Sequence, residues 1–133
     1  MSNWKLINKT YLYDGTFYGL LTIVFDSYIH KTLPQKIYNK DTYIYNFLDK
    51  TIEITTDFDK SQRVFNGIEK NIGYKALYNS YYAFLSNEEN KEIYILKYLK
   101  DYLDFKKLVI IYAMLLSILI IIIKIIKLSM ARI

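Results

Sequence analysis

The sequence predicts an α/β or α+β domain: a small sheet of two to three short strands covered by about four helices, followed by a long hydrophobic C-terminal helix. Three observations carry this. Partly alternating apolar stretches stand at residues 6–14 and 51–57, four stretches carry apolar residues in steps of three and four, and an almost purely aliphatic run fills residues 108–123.

The first stretch, LINKTYLYD, alternates in part and ends at Asp14-Gly15, as a short strand closing in a turn does. Thr16 is then the helix cap, with Asp14 as a competing cap. Phe17, Leu20, Leu21, Val24, Phe25 and Tyr28 form one helical stripe. Leu33-Pro34 is expected to end that helix, because the residue before proline resists the α region. From Gln35 to Asp49 the signals are weak, with KIYN as a short extended piece.

TIEITTD, residues 51–57, reads as a strand with Ile52 and Ile54 on one face and Glu53 on the other. Asp57 caps a helix from about Phe58 to Asn71 with Val64, Phe65, Ile68 and Ile72 inward. Gly73 punctuates. A helix from about Tyr74 to Leu85 turns Leu77, Tyr81, Phe84 and Leu85 inward. SNEEN is a loop and helix start, and the last body helix runs from about Glu88 towards Phe105 with Ile95, Leu96, Leu99, Tyr102 and Leu103 inward. Residues 1–105 form one body domain, and residues 106–133 the hydrophobic tail.

Composition removes several functions. Without cysteine there is no disulfide, thiolate metal site or Cys nucleophile, and a single histidine, His30, excludes multi-His metal sites. No secretory leader is expected, since Lys5, Lys9 and Asp14 interrupt the apolar residues of the first twenty. A cytoplasmic location is the default. The net charge of +5 suggests nucleic acid, but residues 1–105 hold 13 Lys/Arg and all 13 Asp/Glu, so the excess lies in the tail. Phosphate binding needs a concentrated basic face, and the charge of the body does not support one. Lysine outnumbers arginine 16 to 2, and the richness in Ile, Lys, Asn and Tyr reflects an AT-rich coding sequence.

The polar residues with candidate chemistry are few. Tyr13, Asp14, Gly15 and Thr16 sit at the strand-to-helix turn, where they are either turn and cap or a ligand contact. A hydrolase built on Asp14 ranks last, since one carboxylate without a partner is insufficient for general acid-base work. Tyr81 and Tyr82 either stack on bases or belong to the core. His30 suits a helix C-terminus. Gly67 and Gly73 form no phosphate loop, and Glu53, Asp57 and Asp59 are explained by a strand-to-helix cap without a metal.

The tail run LVIIYAMLLSILIIII has only Tyr112 and Ser117 as polar residues, and residues 108–126 reach the lower limit of a membrane span. Lysines flank both ends, so charge gives no orientation. On hydropathy alone the tail is a C-terminal membrane anchor.

YLYDGTF at residues 11–17, GLLT at 19–22, Phe25, Tyr28, Pro34 with Ile37-Tyr38, TIEITTD, and YYAFLS at 81–86 stand in an order that resembles a bacterial family of DNA-metabolism and DNA-repair proteins. The resemblance covers roughly residues 10–100. It implies a cytoplasmic repair accessory working with a radical-SAM protein encoded beside it; some members are joined to a uracil-DNA glycosylase domain. S-adenosylmethionine and an Fe–S cluster would belong to that partner, leaving no cofactor in this chain. The resemblance names no reaction, so whether the chain is an enzyme stays open. Such proteins usually continue after Lys100 with Gly- and Lys-containing and then basic segments. Here poly-isoleucine follows, and beside this resemblance a shifted reading frame or a truncated gene product is the expected origin of the tail, because AT-rich DNA read out of frame yields Ile, Leu and Lys runs.

Overall fold

The computed structural model describes residues 4–132, apart from the side chains of residues 103 and 105–108; the inward role expected of Leu103 lies outside the described residues. Among the described residues, three parallel strands and four helices follow one another as β1 (Lys5–Tyr13), α1 (Phe17–His30), β2 (Thr32–Asn39), β3 (Thr51–Glu53), α2 (Phe58–Asn71), α3 (Tyr74–Leu85) and α4 (Lys91–Ala131). The strand order is β2-β1-β3. The long β1 is therefore central, and α1 is the crossover that parallel pairing with β2 demands.

β1 pairs with β2 from Lys5↔Thr32 to Tyr13↔Asn39, with an irregularity between Ile7 and Thr10. β3 pairs only from Thr10↔Thr51 to Leu12↔Glu53. Residues 40–50 carry the chain from one sheet edge to the other without a helix. Tyr43 Oη donates to Asp49 Oδ2 at 2.7 Å and ties this connection to itself. Its Ile44, Tyr45, Phe47 and Leu48 are exposed.

α1 is the centre of the fold and packs against α2, β2 and α4, while α3 bridges α2 and α4. It is buried on more than the expected stripe: Ile23 and Thr22 are as enclosed as Leu20, Leu21 and Val24. From the sheet come Tyr11, Tyr13 and Ile37, and from the other helices Ile68, Leu77, Leu96 and Leu99. Removing a fully enclosed leucine such as Leu96 costs about 2–5 kcal/mol at sites of this kind.

Several expectations are corrected. α1 ends at His30, because Lys31 takes a left-handed conformation with φ 54° and its N–H closes on the Ser27 carbonyl. Pro34 is therefore not a helix stop but a residue of β2, tolerated because β2 is an edge strand. The region of weak signals begins inside that strand. Ile52 is 40 % exposed, since β3 is itself an edge and only Ile54 beyond it packs on the core. Tyr81, Leu85 and Tyr102 are exposed, because α3 and α4 each offer a narrower face to the core than their apolar periodicity suggests. α4 starts at Lys91 rather than Glu88, after Asn90 in a left-handed conformation. The long hydrophobic C-terminal helix is present as expected and continues the last body helix, the two together spanning 41 residues.

Candidate functional site

β1 and β3 are neighbours, and the turns after them, at residues 14–16 and 54–57, meet beyond their carboxyl ends. Open α/β sheets place ligands where such turns diverge. Here α1 and α2 pack on each other instead, and the turns are stitched together.

Asp14 is the stitch. Its Oδ1 accepts the Thr16 N–H at 3.0 Å and the Thr16 hydroxyl at 2.6 Å, and its Oδ2 accepts the Thr56 hydroxyl at 2.7 Å. Partial burial works to raise its pKa, but the hydrogen bonds from Thr16 and Thr56 outweigh that, helped by the Lys40 charge. The net effect holds the carboxyl below its usual range. Thr16 is extended, with φ −90° and ψ 155°, and its hydroxyl accepts the Gly19 N–H at 3.0 Å, which is the N-cap read from the sequence. Asp14 thus supports the turn and does not cap the helix.

Two glycines make this junction feasible. Gly15 has φ +79°, a region that disfavours side chains, and a Cβ there would overlap the Asn39 amide. Gly19 lets the helix approach the carboxylate: a Cβ would collide with Asp14 Oδ1 and lie 3.0 Å from both Thr56 Oγ1 and the Tyr13 ring. One turn on, Thr22 Oγ1 and Ser61 Oγ are 2.9 Å apart, and the Ser61 hydroxyl reaches the Tyr18 carbonyl at 2.6 Å. Small polar side chains therefore lock α1 to α2.

Tyr13, whose ring borders the same Gly19, joins β1 to α4. It is 1 % exposed, and its hydroxyl donates to Glu92 Oε1 at 2.8 Å. Burial first, then the Glu92 carboxylate, push the phenol far above its ordinary value, so Tyr13 is a neutral donor at physiological pH. Glu92 lies in the first turn of α4, where a carboxylate suits the positive end of the helix dipole.

The sequence candidates divide between two depressions. Tyr13 and Gly15 line a polar cleft of about 430 Å³ with Asn39, Glu88, Glu89 and Glu92. Thr16 lines an aromatic groove of about 550 Å³ with Phe17, Tyr18, Tyr78, Tyr81 and Phe84. Tyr81 stands edge-on to Phe17 at 5.2 Å between ring centres. Tyr82 does not line this groove; its hydroxyl lies 2.6 Å from that of Tyr78 at the groove's edge. His30 Nδ1 lies 2.9 Å from the Asp26 carbonyl at the end of α1, the surface position expected of it. Asp57 Oδ1 accepts the Asp59 and Lys60 N–H groups, the expected cap of α2. Among the described residues no group of three or more His, Cys, Asp or Glu is arranged to hold a metal ion.

Glu92, Thr56 and Ser61 were not singled out by their sequence context. A signal existed for two of them. Glu92 continues the buried stripe of Leu96 and Leu99, and Ser61 continues that of Phe65 and Ile68. A polar group on an apolar stripe needs a partner.

Compared with protein-family models, curated proteins and solved structures, the chain matches none of them.

Proposed function

We propose that this chain is a membrane-tethered α/β module, with residues 1–105 as the working domain and the C-terminal helix as its single anchor. One observation carries the reading. Val109–Ala131 is an apolar helix of 23 residues, none of it buried within the protein. At about 1.5 Å per residue it extends roughly 35 Å, against about 30 Å of hydrocarbon in a bilayer. Val109, Ile110, Ile111, Leu119 and Ile120, which point in directions spread around the helix, are all about half exposed, so the helix is apolar on every side. A helix that packs on a soluble domain needs one apolar face only; one that is apolar all round calls for lipid. Lys124 and Lys127 stand near its end, where long side chains reach the headgroups.

Membrane fractionation of the full chain beside a version ending at Phe105 tests this. The full chain is expected to resist alkaline extraction and the shorter one to be soluble. Equal behaviour of the two would refute the anchor.

A second reading keeps the module and gives it the role its sequence resemblance implies: a cytoplasmic DNA-repair accessory acting with a radical-SAM partner that holds the S-adenosylmethionine and Fe–S chemistry. What favours it is the meeting of Asp14, Thr16, Gly19 and Thr56, all within the quoted motifs, at one junction. The residues of the resemblance thus describe a folding unit. Co-purification with the neighbouring radical-SAM product tests this reading, and absence of any association counts against it.

A further inference from the structure

The body of the chain is neutral overall, yet the fold separates its charges along the direction of α4. Glu92 meets Tyr13 at the carboxyl end of β1, and two turns later Lys100 lies over Trp4, which precedes β1, at 5.5 Å from the ring centre. α4 therefore runs against β1 and leaves the body at the amino end of the sheet. At that end the Lys5 N–H donates to the Lys31 carbonyl, and the Lys31 ammonium lies 4.0 Å from the centre of the Tyr28 ring. Lys100 on α4 shares the Trp4 ring with Lys31, Lys97 stands about one helical turn before it, and Lys106 and Lys107 follow in sequence. Asp101 and Asp104 are the acids on this stretch of α4, both within ion-pair distance of Lys100. The opposite end holds Asp14, Glu53, Glu88, Glu89 and Glu92 against Lys40, which pairs with Glu53 at 3.2 Å, and Lys91, so acids outnumber lysines there.

We propose that the amino end of the sheet rests on anionic lipid headgroups through Lys5, Lys31 and Lys97, turning the acidic cleft at the strand carboxyl ends away from the bilayer. The inference rests on the anchor reading. Lys100 is nine positions before Val109, the first residue of the apolar span, which is about 14 Å along a helix. Lysine side chains extending from this end come within the ~8–10 Å over which surface charge acts at ordinary ionic strength. A basic segment beside a membrane helix gains affinity from anionic lipid with every lysine it brings near.

The single tryptophan, Trp4, stands at this end and reports on it. The full chain is reconstituted in vesicles of phosphatidylcholine alone or with one-third phosphatidylserine, each carrying a headgroup-linked dansyl acceptor. Flotation reads the anchor, and energy transfer from Trp4 reads the orientation. The expected result is flotation with both vesicles, stronger transfer with phosphatidylserine, and loss of that increase in 0.5 M salt. The double variant Lys5→Glu/Lys97→Glu, at two exposed sites, is expected to float equally but to lose on the order of tenfold or more of the docked population. A chain that floats but shows the same transfer in both lipids overturns the orientation alone. A chain that floats with neither overturns the anchor and the orientation together.

Discussion

Thr56 donates its hydroxyl to Asp14 Oδ2 at 2.7 Å, joining two strand-to-helix turns that are 42 positions apart in sequence. The same carboxylate orders Thr16, and Thr16 starts α1. Hydrogen bonds to an ionised acceptor are worth about 1.5–3 kcal/mol. Asp14→Ala is expected to destabilise the body by about 2–4 kcal/mol, and Thr56→Val by about 1–2 kcal/mol, in urea unfolding. Additive losses in the double variant would show that the two residues do not act together.

The acid limb of stability follows from the same carboxylate. The folded state holds its pKa below the ordinary 3.8, so its contribution is complete above that value and fades as pH falls through the lower folded-state pKa. The stability gap between wild type and Asp14→Asn is therefore expected to be constant from neutral pH down to about 5 and to close below 3.8. A gap that widens on acidification would contradict the assignment.

Gly19 and Gly67 are both helical glycines, with opposite surroundings. Gly19→Ala drives a methyl into Asp14 and towards Thr56 and Tyr13, and is expected to cost about 1–3 kcal/mol. Gly67 has nothing within 4 Å of an added Cβ, so Gly67→Ala is expected to stabilise by about 0.5–1 kcal/mol. Thermal unfolding of the two variants reads the sign directly.

Tyr13→Phe would leave the Glu92 carboxylate without the buried phenol that donates to it. A loss of about 1–3 kcal/mol is expected. A double-mutant cycle with Glu92→Gln measures the coupling. Independent effects would mean that the pair does not join β1 to α4.

Local signals made part of this fold legible. Asp57 and Gly73 bracket α2 by chemistry that acts within a few residues, and Thr16 begins α1 for the same reason. β2 was obscured by Pro34, which reads as a breaker until the strand is known to be an edge. Periodicity found the inward faces of α3 and α4 but not their width, because the number of neighbours a helix has is a property of the tertiary fold. Hence Leu77 and Leu99 were placed correctly, while Tyr81 and Tyr102 lie exposed. At the site the turn residues were legible and their partners were not. Thr56 is 42 positions from Asp14 and Glu92 is 79 from Tyr13, separations over which no local pattern reports.

Hydrogen exchange on the full chain in lipid vesicles, read peptide by peptide beside the chain ending at Phe105 in buffer, tests the two-part organisation most directly. Amides of Val109–Ala131 should be protected for hours in the bilayer, while the body exchanges alike in both samples. Rapid exchange across that helix in vesicles would contradict the anchor. Collapse of protection in α1 and β1 once the helix is removed would contradict a body that stands without it.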